Sequence, residues 1–412
     1  MNEDSTAALL EKPPAPAEPT AARPAPPPGF ATSLRVLPRA FWVKWAGTLL
    51  NRFGTFVLPF LTLYMTGRGF TEHQAGWALG AISAGSLAAA LTGGWMADRV
   101  GRRETMALSL IGGAASLLCL GWAESLPFIL FWCFMHGALA DVMNPAGHAM
   151  VADLVPQEHR LAAYSADRLA VNLGFTLGPI VAGFVIEKSF WALFWADAAC
   201  SVAYAVIAMI WLPRTAASVR ERPKQSAASL ARDIFRCRPL VSYFAALLLI
   251  AIVFRQFNGA LPLQLTAAGS RPRDIGLVYM INGLLIVLAE LPLTHLTRHW
   301  PLRAAIARGA VIIGAGFSLN AFGVSTSLVV ASMTVLTIGE MLAFSRTGTY
   351  LASLSPDDRR GAYAGVNSLV WCVGGIVGAT AGLALYEIAP AAMWALCGVL
   401  GIAAALILRS SR

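Results

Sequence analysis

The chain has 412 residues, of which 57% are hydrophobic and only 13% are charged, whereas a soluble domain typically carries about a quarter charged residues. This composition argues against a soluble enzyme or a soluble binding module and favours a membrane protein. The net charge of +9 would also suit a nucleic-acid-binding protein, so the positions of the basic residues must decide between the two classes.

The first 38 residues precede the first long apolar stretch. The segment Pro13–Pro28 contains eight prolines and has no apolar core, so it does not have the pattern of a signal peptide. We therefore predict that residues 1–38 form a disordered, Pro-rich cytoplasmic tail.

Twelve apolar stretches follow, and each is long enough to cross a hydrocarbon core of about 30 Å, which needs roughly 20 residues. They cover approximately residues 40–65, 74–97, 104–123, 126–152, 162–186, 190–212, 240–266, 274–296, 304–322, 326–353, 362–385 and 390–408. A basic segment at 213–238 divides them six and six. The predicted fold is an all-α membrane protein of twelve transmembrane helices in two pseudo-symmetric six-helix bundles, at 39–212 and 239–412.

The basic residues predict the orientation in the membrane. With both termini in the cytoplasm, 23 of the 31 lysines and arginines lie in cytoplasmic segments, and only four lie in external loops. Positive charge favours the cytoplasmic side. The asymmetry predicts a multi-pass protein of the cell (inner or plasma) membrane. It also explains the positive net charge by the orientation of the chain in the lipid bilayer, so no nucleic-acid partner is predicted.

The two halves share an internal repeat. The sequence LVPQEHRLAAY in the first half corresponds to LSPDDRRGAY, which lies 200 residues later. In addition, Arg52 lies seven residues before Pro59, and Arg255 lies seven residues before Pro262. Parallel repeats of this kind occur in transporters, whose substrate site lies near the midplane between the halves.

The loop after the second stretch reads GGWMADRVGRRE. It resembles the signature loop of the major facilitator superfamily, with the matching residues Gly94, Asp98, Arg99, Gly101, Arg102 and Arg103. Asp98 would lie beside the positive end of the following helix, and Gly94 would let another helix approach closely. The resemblance implies a charge network that stabilises a gate in the outward-facing state and includes Asp153. The alternative is an ordinary basic loop. The second-half equivalent lacks the Asp and Gly pattern, so we expect this network in the first half only.

The fifth stretch contains NLGFTLGPIVAG, which resembles the antiporter motif of drug-exporting branches of this superfamily. The matching residues are Gly174, Gly178, Pro179 and Gly183. The resemblance favours export over import, and a purely structural role in packing and bending is the alternative. The arginine of the family's helix-four motif is replaced by Cys133, so its proton-transfer role is not expected here. His136 on the same stretch is predicted to be a packing residue.

Four charges fall near the membrane midplane, where charge is costly and is therefore a functional candidate. They are Arg52, Asp141, Arg255 and Glu340, on the first, fourth, seventh and tenth stretches, which line the central cavity in the family. Proton coupling needs an acid that binds and releases a proton, and Asp141 and then Glu340 are the best candidates. Two structural salt bridges are the alternative.

Steps of three or four residues place further side chains on the same helix faces. The predicted cavity wall adds Trp45, Thr48, Phe56, Phe134, Asn144, Asn258 and Phe344. Asp197, Glu290 and Arg346 lie nearer helix ends, and we predict that they are interface charges.

The sequence contains no phosphate-binding loop, nucleophile motif or metal-ligand cluster, so neither an enzyme nor a cofactor is predicted. The resemblance covers about residues 38–410 and implies a monomeric secondary transporter that exports a small amphipathic molecule, a drug or natural product, in exchange for protons. Two alternatives remain. One is an importer or facilitator of a sugar, organic acid or peptide, and the other is a non-transporting membrane protein in signalling or lipid handling.

Overall fold

The computed structural model describes residues 30–214, 227–323, 325–356 and 359–410. All regular secondary structure in these residues is helical. The α-helices in chain order are α1 (Phe30–Val36), α2 (Arg39–Phe53), α3 (Leu61–Gly67), α4 (Glu72–Val100), α5 (Arg102–Trp122), α6 (Leu126–Ala140), α7 (Met143–Leu154), α8 (Arg160–Ile186), α9 (Phe190–Trp211), α10 (Ala227–Arg236), α11 (Arg238–Phe254), α12 (Ala260–Ala267), α13 (Pro272–Leu296), α14 (Leu302–Ser318), α15 (Thr326–Leu354), α16 (Arg360–Ile388) and α17 (Pro390–Ser410).

Eleven segments of the described chain are long and apolar enough to cross a membrane. They are α4, α5, α6 with α7, α8, α9, α11 with α12, α13, α14, α15, α16 and α17, and they coincide with eleven of the twelve predicted stretches. The multi-pass, all-helical character expected from the sequence is thereby confirmed.

The remaining stretch, predicted as continuous over 40–65, is interrupted. Helix α2 ends at Phe53, a short 3-10 helix covers Leu58–Phe60, and α3 begins at Leu61. Similar interruptions divide α6 from α7 and α11 from α12. A proline follows each break within the next few residues, at 59, 145 and 262, where a missing N–H costs little because the first turn of a helix has no partner for it.

Two predicted boundaries need correction. The predicted disordered tail 1–38 includes helix α1, and Leu37 is buried; residues 1–29 lie outside the described residues. The predicted linker 213–238 includes helix α10, whose Asp233 accepts a hydrogen bond of 2.7 Å from Arg359. Residues 215–226 of that linker are likewise not described.

The loops lie at two opposite ends of the helical bundle. One end, called here the Arg68 end, carries the loops at 68–71, 123–125, 187–189 and 268–271. There Arg68 donates hydrogen bonds of 2.7 Å to the Tyr64 hydroxyl and to the Ala123 carbonyl. The opposite end, called the Arg102 end, carries the turn at Gly101 before Arg102 and the loops at 155–159 and 297–301.

The two halves of the chain meet where α4 packs on α16 and α8 packs on α13. Near the Arg68 end this contact is backbone against backbone. A Cβ atom at Gly76 would lie 2.6 Å from the Ala379 carbonyl oxygen, and one at Gly183 would lie 2.7 Å from the Pro272 carbonyl oxygen. Small residues allow such close approach. The halves are therefore closed at this end.

Toward the Arg102 end the same helices separate. No heavy atom lies within 4 Å of the Cβ position of Gly94 on α4. On α16, the Cβ position of Gly365 likewise has no heavy atom within 4 Å. The molecule is thus closed at the Arg68 end and open toward the Arg102 end.

Candidate functional site

Three of the four predicted midplane charges lie where a membrane segment is interrupted. Arg52 is in the last turn of α2, Arg255 is the C-cap of α11, and Asp141 is the C-cap of α6. The C-terminal end of a helix is its negative end, so it favours the two arginines. Asp141 also lies just before the positive end of α7. Glu340 differs because it lies inside the continuous helix α15.

Glycines bring these interrupted segments close to their neighbours. A Cβ atom at Gly174 would lie 2.5 Å from the Arg52 Cβ, and one at Gly178 would lie 2.5 Å from the Phe53 carbonyl oxygen. In the second half, the Cβ of Gly378 would lie 2.9 Å from that of Arg255. Glycines of α8 and α16 therefore allow close contact with the arginine-bearing segment of each half.

In the first half, Arg52 and Asp141 are linked through an amide. Arg52 Nη2 donates to Asn144 Oδ1 at 2.5 Å, and Asn144 Nδ2 donates to Asp141 Oδ1 at 3.1 Å. Ser86 Oγ of α4 donates to the other carboxylate oxygen at 2.5 Å. A direct ion pair between Arg52 and Asp141 is not among those that the described residues form.

Arg255 crosses from the second half to the first. Its Nη2 donates to the Leu79 carbonyl oxygen at 3.1 Å and to the Ser83 hydroxyl. Ser83 and Ser86 are three residues apart and therefore share one face of α4. The same face of α4 thus contacts Arg255 of the second half and Asp141 of the first half.

Glu340 does not pair with Arg255, so the alternative of two structural salt bridges is not found among the described residues in this conformation. Glu340 Oε2 accepts a hydrogen bond of 2.7 Å from Asn282 of α13, which also contacts Thr337 at 3.0 Å. The physical reason is that the Arg255 side chain is directed toward α4 and not toward α15.

Both midplane arginines keep one buried donor free. Arg52 Nε and Arg255 Nε are buried and have no hydrogen-bond partner in the described part of the chain. A buried N–H without a partner is rare and costly. These two atoms are available to an acceptor group of a bound molecule or to water.

A cavity of about 120 Å³ lies inside the first half of the chain. All of its lining residues belong to the first half, so it is distinct from the space between the halves. Its polar wall includes Arg52 and Asp141 together with Asn51, Thr55, His136, Asp197 and Ser201. The Arg52 guanidinium carbon lies 5.6 Å from the centre of the Phe175 ring, which also lines the cavity.

The predicted aromatic and polar wall is only partly assembled. Asn144 lies in the network, and Trp45 donates a hydrogen bond of 2.7 Å to the Ala166 carbonyl of α8. Phe56 packs on Phe53 and is not among the residues that line the cavity of the first half, so its placement on this wall is wrong in this conformation. Phe56 lies in the break after α2, where steps of three or four residues no longer predict the direction of a side chain.

Three further wall residues lie apart from that cavity. Phe134 and Asn258 are half-buried, and neither lines the cavity in the first half. Phe344 belongs to an aromatic group in the second half, with ring centres 5.1 Å from Phe254 and 5.3 Å from Trp371. Since Phe344 lies one turn from Glu340, this group stands beside the second candidate acid.

The signature loop places its arginines on different partners. Arg102 forms an ion pair with Asp153, as the resemblance implied. Arg103 instead contacts Glu104 at 2.9 Å, and Arg99 lies over the Trp95 ring at 4.7 Å.

The glycines of this loop have different roles. Gly101 has a positive φ of 101°, which favours glycine. The open space beside Gly94 contradicts the close approach predicted there, because the halves are separated at this end. Asp98 is half-buried at the end of α4.

The structure also reveals functional candidates that the sequence reasoning missed. Lys44 of α2 and Asp167 of α8 form an ion pair of 2.5 Å with side chains only 4% and 8% exposed. The pair lines a cavity of about 60 Å³ together with Arg52 and His148. Their position inside apolar stretches was a signal that could have identified both.

Asp197 was predicted to be an interface charge near a helix end. It is 8% exposed, and its Oδ2 accepts hydrogen bonds from the backbone N–H groups of Phe56 at 3.1 Å and Val57 at 3.3 Å. His136 lines the same cavity, with Nδ1 3.1 Å from the Gly113 carbonyl oxygen. Both residues therefore belong to the site region.

Glu290, also predicted to be an interface charge, joins the two halves. Arg168 Nη2 of α8 lies 2.5 Å from Glu290 Oε1 of α13. Arg346 is buried and donates to Thr297 at the end of α13.

Solved structures of peptide transporters share this fold. A peptide transporter POT in complex with sulfate aligns with a TM-score of 0.75 and 17% identity, covering 93% of this chain and 98% of that chain. The POT family transporter PepTSo aligns with a TM-score of 0.75 and 15% identity, covering 91% and 97%.

Sequence relatives carry transporter names. An uncharacterized MFS-type transporter YqjV of Bacillus subtilis is 23% identical, over 79% of this chain and 81% of the relative. A Na(+), Li(+), K(+)/H(+) antiporter of Planococcus maritimus is 22% identical, over 78% and 83%. The multidrug resistance protein MdtH of Aeromonas hydrophila is 22% identical, over 89% and 94%.

The model of one family matches residues 45–379 and 257–411, which together span most of the chain. With this match, the chain belongs to the Major Facilitator Superfamily.

Proposed function

We propose that this protein is a secondary active transporter that exports a small amphipathic molecule in exchange for protons by alternating access. In this proposal α2 and α3 together form the twelfth membrane crossing, and the chain folds as two six-helix bundles that rock against each other. Both termini and the linker lie in the cytoplasm, so the open Arg102 end faces inward. The protein acts as a monomer in the cell membrane.

One observation carries the proposal: the arginine of the second half is bound to the first half directly beside the candidate proton carrier. Arg255 contacts Ser83, and Ser86, one turn away, contacts Asp141. Opening the Arg68 end would separate α4 from α16 and withdraw Arg255. The surroundings of Asp141 would then differ between the two states, which an acid needs if it is to take up a proton in one state and release it in the other.

The names of the relatives support export and ion exchange over other roles. One relative is named a multidrug resistance protein and another an antiporter. The aromatic group beside Glu340 suits an amphipathic substrate, because aromatic rings offer apolar area close to a polar group.

An importer or facilitator of a defined solute is the second candidate. The observation that favours it is the fold of the peptide transporters, although likeness at 15–17% identity shows the fold alone. A non-transporting role is less well supported. The Arg102 and Asp153 pair at the open end has the form of a gate contact, which a static protein would not need.

Proteoliposomes with and without an imposed pH gradient test the proposal. We expect a panel of amphipathic compounds to include at least one that accumulates only with the gradient. Asp141→Asn should abolish this uphill transport while leaving exchange of substrate down its gradient, and Glu340→Gln should reduce it. Glu124→Gln, at an exposed loop of the Arg68 end, is the matched control. Gradient-driven accumulation by a variant that carries both Asp141→Asn and Glu340→Gln would refute the assignment of these acids.

A further inference from the structure

The cavity inside the first half holds a second buried acid, Asp197, for which the midplane network has no role. Only one of its oxygens is occupied. Oδ2 accepts the two backbone N–H groups of Phe56 and Val57, whereas Oδ1 makes no hydrogen bond or ion pair with the described residues. The side chain is more than nine-tenths buried and lies on the cavity wall. A carboxylate oxygen without a protein partner, on a side chain that lines a cavity, is available to a cation or to water.

Neutral oxygen atoms lie on the same wall. Ser201 is four residues after Asp197 and shares its face of α9. Asn51 Nδ2 donates to Ser201 Oγ at 3.2 Å, so the amide nitrogen is occupied and the amide oxygen is free to act as an acceptor. The chain beside them is the break between α2 and α3, and interrupted membrane helices supply cation ligands in other transporters.

The charges that face Asp197 do not balance. Helix α2 contributes Arg52, and α6 contributes His136 together with Asp141 at its C-cap. The residues that α5 and α8 contribute to the cavity are uncharged. With a neutral histidine, two carboxylates therefore oppose one guanidinium. An uncompensated charge in a buried site of low dielectric constant costs free energy. One additional positive charge in the cavity would neutralise the net negative charge of these groups.

The size of the cavity also fits a hydrated occupant. One buried water needs about 10–15 Å³ on this measure, and the cavity offers about 120 Å³. A small cation with several waters can therefore be accommodated without any movement of the walls.

From this geometry we propose that Asp197 and the cavity beside it form a binding site for one monovalent cation, an alkali ion or a proton, inside the first half. The inference deepens the proposed exchange by naming a coupling-ion site and rests on that proposal for its role in transport. Because Asp197 also holds the break after α2, occupancy of the site would act on the segment that carries Arg52. The cation would thereby be coupled to the position of that arginine.

Cation binding can be measured in the absence of a transported substrate. The result therefore tests the cation site independently of whether the protein exports a substrate. Purified full-length protein in detergent is titrated with radioactive Na⁺, and infrared difference spectra between acidic and alkaline pH report protonation of buried carboxyl groups. We expect either saturable Na⁺ binding that releases protons, or a carboxyl band without Na⁺ binding. The first outcome identifies an alkali ion, and the second identifies a proton.

Asp197→Asn should abolish Na⁺ binding, or remove one component of the carboxyl band, because the asparagine oxygen still accepts from Phe56 and Val57 while the charge is lost. Ser201→Ala keeps the charge and should weaken Na⁺ binding while leaving a proton signal in place. If Asp197→Asn does not fold, Asp197→Glu decides the matter, because it keeps the acid but displaces it and should weaken Na⁺ binding or shift the carboxyl band, whereas unchanged signals would overturn the proposal. The control Glu124→Gln should behave as the wild type. Absence of both signals in the wild type, or an unchanged signal in Asp197→Asn, would overturn the proposal.

Discussion

Removal of one member of the buried Lys44–Asp167 pair should cost more stability than removal of both. The two charges are 2.5 Å apart and nearly inaccessible to solvent. At an effective dielectric constant of about 20 they attract by about 7 kcal/mol, and desolvation of both ions offsets several kcal/mol each. The net contribution is therefore small. Lys44→Met, however, leaves the Asp167 carboxylate buried without its partner, which costs about 3–5 kcal/mol.

The double variant Lys44→Met with Asp167→Leu should recover most of that loss, because two apolar side chains of similar volume replace the pair. The assay is unfolding of the purified protein in a series of mixed micelles with increasing denaturing detergent, followed by the reaction of a thiol dye with the buried Cys133 and Cys397. Lys188→Met, at an exposed lysine of the Arg68 end, is the matched control and should change the free energy of unfolding by less than about 0.5 kcal/mol.

Two results would refute this reasoning. One is a Lys44→Met variant as stable as the wild type, and the other is a double variant no more stable than the single one. If the double variant is stable but does not transport, the pair serves transport and not the fold.

Three further predictions concern orientation and the two ends. A cysteine at Ala268 in an otherwise cysteine-free variant should react with an impermeant reagent from outside the cell, and one at Arg232 should not; the reverse pattern would contradict the orientation. Asp98→Asn should lower transport while the protein still elutes as a folded monomer, and wild-type transport would refute a role in the gate. Gly276→Val should force α13 away from Pro179 of α8 and open the Arg68 end, seen as a longer distance between spin labels on the two halves; an unchanged distance distribution would show that the close approach is not required for closure.

The segments that cross the membrane could be predicted from the sequence because apolar length alone determines them. Their interruptions were harder to predict. Pro59, Pro145 and Pro262 were visible, but a proline in a membrane helix can kink it or end it, and only packing decides which. The break after α2 then changed the direction of Phe56, which helical stepping had placed on the cavity wall.

The midplane charges could be located from the sequence, but their partners could not. The sequence left open whether Arg255 forms a structural salt bridge with Glu340. The actual partner depends on which neighbouring helix is close in this conformation, and closure at the Arg68 end brings Ser83 of α4 to Arg255. Asp197 was predicted to be an interface charge because it lies nearer a helix end than the midplane charges do. Nothing in the local sequence indicates that a break in another helix offers it two N–H groups.

The contact that closes the Arg68 end has a consequence for how the protein meets its surroundings. Its centre is made of glycine and carbonyl groups, and the ionisable side chains described there, such as Glu387 and Arg273, lie at its rim, whereas nearer the Arg102 end the Arg168–Glu290 ion pair joins the two halves. Van der Waals contact between backbones does not change with salinity or acidity, while exposed ion pairs are screened by salt. In the proposed orientation, the contact that faces an environment of uncontrolled composition would therefore be largely insensitive to that composition, and the salt-sensitive contact between the halves would lie toward the buffered cell interior.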